Sequence, residues 1–302
     1  MTFGALLSVY QGDQPVALAT CLESLVWQTD PLDAVLVVVE GTLSPEIESV
    51  LTHYSSPLAA QGFAVLRIPR QNGPLGFGLP ASLNEGLQAL STDWVLKVDT
   101  DDINVPTRVA ETRAWAIAHP NGKLVGGQLQ EWSEGFAASG PVRRVPETPA
   151  AIAQRGKWRN PFNGPTVAFH RATALALGGY PVVGANEDYA LWGRFLQAGH
   201  AVGNSPRVWV HQQAGPSLIQ RRGTARYRRG ELQALQDLQR SGWLSPAHFW
   251  VHAAAKAVIR SLPLAGIQYI YTYLRSTPPP SVQTPDGWER LLQNAHTWST
   301  KP

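Results

Sequence analysis

The stretch WVLKVDTDDINVP, residues 94–106, is an apolar run broken only by Lys97 and ending in three acids, Asp99, Asp101 and Asp102. Carboxylates crowded within a few ångströms repel one another and need a cation at neutral pH. Their hard oxygens suit Mg²⁺ or Mn²⁺, ions that hold substrate phosphates through only one or two carboxylates. A calcium loop beginning at Asp99 would need Gly at its sixth position and Glu at its twelfth, where Asn104 and Ala110 stand. The residues alone leave a second reading open, in which Asp99 merely ends a strand and Asp102 caps the next turn.

Three other segments carry chemistry. In NEDYALWGRFLQAG, residues 186–199, Glu187 and Asp188 open a helix. A helix N-terminus favours carboxylates electrostatically, so the pair is either a helix start or the source of a general base facing the first acids. In QRRGTARYRR, residues 220–229, Arg221, Arg222, Arg226, Arg228 and Arg229 surround Tyr227. Guanidinium forks suit phosphate and diphosphate. No nucleic-acid fold signature accompanies them, so nucleic acid is not expected as a partner. In GPLGFGLPASLNEGL, residues 73–87, Gly76, Gly78 and Ala81 fit G-x-G-x-x-A with Asp99 about twenty residues on, the spacing of a dinucleotide fingerprint. That fingerprint wants its turn directly after a strand, whereas Gly76 lies seven positions past Pro69. The glycines read better as a loop through which backbone approaches a ligand. There is no Walker A sequence, no H-E-x-x-H and no G-x-S-x-G.

Buried strands must position these groups. ALLSVY (5–10), AVLVVV (34–39), 63–68 and 93–98 read as four strands, the second apolar on both faces, as in a parallel sheet covered by helices on each side. Helical periodicity is expected over 15–28, 43–54, with Ser44 as N-cap and Pro45 at its first position, and 80–90. This alternation predicts an open, mostly parallel α/β sheet with helices on both faces, its ligands at the carboxyl ends of the strands. Tyr10 to Asp13, Glu40 and the three acids all fall at such ends. Further on, the pattern predicts a helix over 106–119, a strand over 124–131, loops over 133–165 and a short strand over 166–169. It then predicts helices over 172–177 and 187–197, the second stopping at Gly199, and a basic helical stretch over 225–260. The tail after Pro278 is expected to be poorly ordered.

The chain has 302 residues, 44% of them hydrophobic and 16% charged, a globular composition. Its one cysteine, Cys21, excludes an internal disulfide and a metal site built on cysteines, which fits a reducing cytosol. MTFGALLSVYQGDQP lacks the basic start of a secretory signal, and no stretch reaches the roughly 18 apolar residues of a membrane span. Charge is uneven. Residues 1–220 carry 14 Lys+Arg against 18 Asp+Glu, and residues 221–302 carry 11 against 4. A basic end suits an anionic ligand or membrane surface, or is simply a solvated face.

Taken in order over roughly residues 5–275, these motifs resemble a family 2 glycosyltransferase with the GT-A fold. LLSVYQGD with CLESLVWQT resembles the family's first strand and helix, LNEGL the helix after the donor loop, and KVDTDDINVPTRV the D-x-D segment. NPFNGPTVAFHR, GGYP and NEDYALWGRFLQAG resemble the acceptor half. The chain is most similar to bacterial transferases of exopolysaccharide and capsule assembly, the amylovoran type. These carry V-x-D-G-P-L-T where VVEGTLS stands here, and a similar RRG. Glu40 replaces the family's usual Asp near the donor nucleotide, and Lys97 stands where Arg is common.

The resemblance implies a catalytic domain over 1–220, with a donor half (1–105) and an acceptor half (106–220), followed by a basic helical extension over 221–302. It implies Asp101 as direct ligand of Mn²⁺ or Mg²⁺, Asp99 near the ribose or the metal's water shell, and Asp102 assisting. Ser8, Tyr10, Asp13, Glu40, Asn84, Asp99, Thr100, Arg221 and Arg222 would line the donor site. Asp188 would be the base, with Glu187 orienting it or binding acceptor, in a single displacement with inversion. The donor expected by default is a UDP-hexose, and the acceptor a saccharide or lipid-linked oligosaccharide. The segment around 247–275, HFWVHAAAKAVIRSLPLAGIQYIYTYLR, mixes cations with aromatics as interfacial helices do, and reads equally as a packing helix. A cytoplasmic enzyme at the inner face of the membrane is the resulting expectation. Its rivals are an NAD(P)-dependent oxidoreductase, resting on the glycine match, and a non-catalytic nucleotide- or carbohydrate-binding module.

Overall fold

The computed structural model describes residues 1–69, 78–214 and 224–261. Four parallel strands, β1 (Phe3–Tyr10), β2 (Ala34–Glu40), β3 (Phe63–Ile68) and β4 (Trp94–Lys97), alternate with helices α1 (Pro15–Val26), α2 (Pro45–Ser55) and α3 (Gly78–Ala89). The remaining strands are β5 (Asp102–Asn104), β6 (Gly122–Trp132), β7 (Ser139–Arg143), β8 (Ala168–His170) and β9 (Ala201–Gln213). The helices of this half are α4 (Arg108–Ala118), α5 (Pro149–Gly156), α6 (Arg171–Ala176) and α7 (Glu187–Gln197), followed by α8 (Ala225–Arg240) and α9 (Pro246–Ser261).

The described strands form one sheet in the order β3-β2-β1-β4-β8-β6-β9-β5, with β7 beside β6. The parallel part is β3-β2-β1-β4. Beyond it β8 runs antiparallel to both β4 and β6, β6 and β9 are parallel, and β5 is antiparallel to β9.

Strand alternation sends side chains to two cores. On one face Phe3, Ala5, Leu7 and Val9 meet Leu18, Leu22 and Leu25 of α1, Ile47 and Leu51 of α2, and Val109 of α4. On the other, Leu6, Val38 and Val95 meet Leu83 and Leu87 of α3, and Leu191, Trp192 and Phe195 of α7. A Cβ on Gly86 would collide with Leu6 and Val38, so this glycine sets how closely α3 lies on the sheet. The helix starts follow local chemistry. Ser44 accepts the Ile47 N–H ahead of Pro45, and Thr148 does the same for Ala151 ahead of Pro149.

Two readings from sequence need correction. Residues 133–165 are not simply loops, because β7 pairs with β6 and α5 buries Ile152 in the second core. The pattern also misses β9, whose 13 residues include Gly203, Asn204, Ser205 and Pro206, all turn formers. The β6–β9 register breaks between Gly126 and Gln128, opposite Asn204 and Val208. Pro206 falls within that irregularity, one of the few places where a strand tolerates proline.

Helices α8 and α9 share a third core with α7 through Tyr189, Leu235, Leu238, Trp243, Leu244 and Phe249. A Cβ on Gly230 would strike the Gly184–Ala185 backbone just ahead of α7. Gly230→Val is therefore expected to push α8 off this segment, costing about 1–3 kcal/mol and lowering Tm in a thermal melt. An unchanged melt would show that the α8 contact is loose. Arg221, Arg222 and Gly76, and the chain from 262 onward, which holds about half of the segment around 247–275, lie outside the described residues.

Candidate active site

The parallel register places Tyr10 beside Glu40 and Glu40 beside Ile68, so the strand ends form one rim. At that rim Asp13 folds back, its Oδ2 accepting the Tyr10 N–H at 2.9 Å and its Oδ1 the Thr100 hydroxyl at 3.0 Å. Burial, together with the nearby Asp101 and Asp99 carboxylates, pushes Asp13 up to about 6. Ser8 sits half-buried on β1, opposite Val38.

Glu40 ends β2 against the start of α3. The Ser82 hydroxyl donates to its Oε2 at 3.3 Å, and a Cβ on Gly78 would strike the carboxylate. Gly78 thus packs directly against the Glu40 carboxylate. Asn84 also lies on α3. Its amide donates to the Tyr180 carbonyl and accepts the Tyr180 N–H, both at 2.8 Å, so it ties α3 to the segment before α7. This structural use was not suggested by the resemblance.

The three acids after β4 have different surroundings. Asp101 is exposed. Asp102, 2% exposed, enters β5, where its Oδ2 accepts from Gln212 of β9 at 3.3 Å and its Oδ1 is buried without a partner. Asp102 caps no turn; its own N–H donates to the Asp99 carbonyl at 3.3 Å. Burial, then the Asp101 and Asp99 charges, push its carboxyl well above the usual range. The buried Cys21 thiol donates to the Asp99 carbonyl at 3.3 Å and pins the turn.

Asp99 faces the second core. Its Oδ1 lies 2.6 Å from the Lys97 ammonium, which is 4% exposed and also reaches Asp188 Oδ2 at 3.4 Å. Arg108, fully buried in the first turn of α4, donates to Asn104 and, at 2.9 Å, to the Lys97 carbonyl.

Asp188 arrives from α7. Asn186 adopts a left-handed backbone, φ 60°, which turns the chain into the helix so that Glu187 and Asp188 fill its first turn. The Tyr227 hydroxyl of α8 donates to Asn186 Oδ1 at 3.4 Å. Gly164 packs against Asp188 Oδ2 with no room for a Cβ. Asp188 Oδ1 and the Tyr180 hydroxyl are both buried without a hydrogen-bond partner. Burial pushes Asp188 up to about 7, with Lys97 opposing and Glu187 and Asp99 reinforcing the rise.

The structure thus unites Asp13, Thr100, Asp99, Asp101 and Asp102 at one rim and brings Asp188 to them through Lys97. Sequence reasoning missed Arg108, Gln212, Gly164 and Tyr180, and noted Lys97 only as standing where Arg is common, without its two acidic partners. No group of three or more metal-ligating side chains is preassembled among the described residues. A divalent ion held mainly by a diphosphate needs only one or two carboxylates. The exposed Asp101, the unpaired Asp102 Oδ1 and the mutual repulsion of these acids fit such an ion.

A mixed sheet with a parallel half and carboxylates at its rim is the arrangement of a GT-A glycosyltransferase fold. Solved structures agree. Staphylococcus aureus TarS 1–349 in complex with UDP matches with TM-score 0.61 and 14% identity, over 99% of this chain and 88% of that one. The mannosyltransferase PcManGT of Pyrobaculum calidifontis, with GDP-Man and Mn²⁺, matches with TM-score 0.58 and 17% identity over the same shares.

The model of glycosyl transferase family 2 matches residues 7–176, and the chain belongs to that family. An uncharacterized glycosyltransferase of Haemophilus influenzae is 31% identical over 91% of this chain and 100% of its own length. The amylovoran biosynthesis glycosyltransferase AmsE of Erwinia amylovora is 28% identical over 89% of this chain and 97% of its own. The UDP-Gal:α-D-GlcNAc-diphosphoundecaprenol β-1,3-galactosyltransferase of Escherichia coli is 28% identical over 89% and 94%. Family membership sets aside the oxidoreductase.

A carboxylate that takes a proton works only when ionised. If Asp188 is the base, kcat/KM should be level above about pH 7 and fall about tenfold per unit below it, the sign set by its raised pKa. A profile flat down to pH 5 would exclude Asp188.

Proposed function

We propose that this glycosyltransferase moves a sugar, with inversion, from a nucleotide-diphosphate donor to an acceptor hydroxyl in bacterial polysaccharide assembly. UDP-hexose is the donor favoured, and a saccharide or lipid-linked oligosaccharide the acceptor. The observation that carries this reading is the meeting of acids from two halves of the chain, Asp99 after β4 and Asp188 at the start of α7, on one buried ammonium. The named activity of the E. coli relative and the UDP bound to TarS support the choice of donor and acceptor class.

In this reading residues 1–105 hold the donor, 106–220 the acceptor, and 221–302 form a basic extension. Asp101 would be the direct ligand of Mn²⁺ or Mg²⁺, with Asp99 near its water shell or the ribose and Asp102 assisting. When bound, the cation neutralises the charge that develops on the leaving diphosphate. The rim formed by Ser8, Tyr10, Asp13, Glu40 and Thr100, with Asn84, would receive the nucleoside, and Arg221 and Arg222, outside the described residues, would bind the diphosphate. Asp188 takes the proton of the acceptor hydroxyl as that oxygen attacks the anomeric carbon from the face opposite the leaving group. Its buried setting keeps water from competing and its raised pKa suits proton abstraction near neutrality. Glu187 orients the base or the acceptor.

We place the enzyme at the cytoplasmic face of the membrane, where lipid-linked acceptors are met. Among the described residues no helix is long and apolar enough to cross a membrane.

Two variants separate the roles. Asp101→Ala should weaken UDP binding in Mn²⁺ to the level seen with EDTA, and unchanged affinity would sink the ligand assignment. Asp188→Asn should slow transfer by about 10²–10⁴-fold while leaving UDP affinity nearly intact. If Glu187→Gln is the inactive variant in its place, the two acids exchange roles.

A further inference from the structure

Lys97 lies on β4, whose alternation sends Trp94 and Leu96 to one core and Val95 to the other. Lys97 therefore points to the face that carries α7. There its ammonium, 4% exposed, bridges Asp99 Oδ1 at 2.6 Å and Asp188 Oδ2 at 3.4 Å. The two acids are 89 positions apart in sequence (188 − 99). A buried charge is tolerated only when paired, and here one cation serves two carboxylates that would otherwise repel each other across the site.

The Lys97 backbone is fixed as well, because its carbonyl receives the buried Arg108 guanidinium at 2.9 Å. Gly164 closes in on the same Asp188 oxygen, Oδ2. The other oxygen, Oδ1, is buried and has no partner. Lys97 thus holds one oxygen of Asp188, and the other is buried with no protein partner.

We propose that Lys97 is a positioning residue for the base. By holding Asp188 Oδ2 it fixes the orientation from which the carboxylate takes the proton of the acceptor hydroxyl, and through Asp99 it ties the base to the donor side of the site. The proposal rests on Asp188 being the base. Lys97 itself touches neither acceptor nor leaving group, so its effect on rate passes through Asp188.

The test compares Lys97→Arg, Lys97→Met, Asp188→Asn and the Lys97→Met/Asp188→Asn double variant. UDP release from UDP-galactose is followed with an α-GlcNAc-diphospholipid acceptor and with water, and UDP affinity is measured in Mn²⁺. Lys97→Arg keeps the charge and should retain kcat within about tenfold. Lys97→Met should lose about 100-fold or more in kcat with UDP affinity within about threefold. Residues that act through one group are not additive, so the double variant should be no slower than Asp188→Asn alone.

Three results would overturn the proposal: a Lys97→Met enzyme with near-normal kcat, losses that multiply in the double variant, or loss of UDP binding together with rate in Lys97→Met. The last would place the role of Lys97 at Asp99 and the fold. An Asp188→Asn enzyme that still transfers would instead refute the base assignment beneath it.

Discussion

Too many carboxylates at one place is the constraint around which this molecule is organised. Asp13, Asp99, Asp101, Asp102 and Asp188 converge where the strands end, and the Asp99 charge makes Asp13, Asp102 and Asp188 harder to ionise. The chain answers with a single buried ammonium between Asp99 and Asp188. In the proposed function a divalent ion, and the ligands that bring one, offset the rest of the negative charge. The buried Arg108, whose own pKa is drawn down to about 10 by burial, adds a second positive charge behind the first.

The fold serves that arrangement. Parallel strands β1 to β4 deliver Tyr10, Glu40 and Asp99 to one rim because their registers are aligned. The antiparallel part brings Gln212 against Asp102 by pairing β5 with β9. Helix α7 brings Asp188, anchored by Trp192 and Phe195 in the second core. Asn84 and Tyr180 link the helix of the donor half to the segment that leads into α7. The two halves of the site therefore share side-chain contacts and not only a sheet.

Much of this was legible in the residues. Strands β1, β2 and β4 announce themselves as short apolar runs. Ser44 with Pro45, and Gly199 in its left-handed C-terminal position at φ 73°, mark helix ends by local chemistry alone. The acids were legible because their crowding has few explanations. The contacts that give them meaning were not. Lys97 and Asp188 meet across 91 positions (188 − 97), and Asp102 and Gln212 across 110. No local pattern encodes such pairs. Strand β9 was missed because Pro206 and its polar neighbours look like a loop, and only the break in register on β6 makes room for them. Asn84 lies in a segment that resembles the family, yet its amide is committed to the Tyr180 backbone, a partner that only the folded chain supplies.

The central claim is that the rim binds a nucleoside diphosphate through a divalent ion. A thermal-shift titration of UDP, other nucleoside diphosphates and NAD(P), each in Mn²⁺, in Mg²⁺ and in EDTA, tests it most directly. A ligand that binds only the folded protein at 100 times its Kd stabilises it by about 2.7 kcal/mol. The account predicts a rise in Tm with UDP that requires the metal and disappears in EDTA. A rise with NAD(P) indifferent to EDTA, or none with any nucleoside diphosphate in either metal, would contradict it.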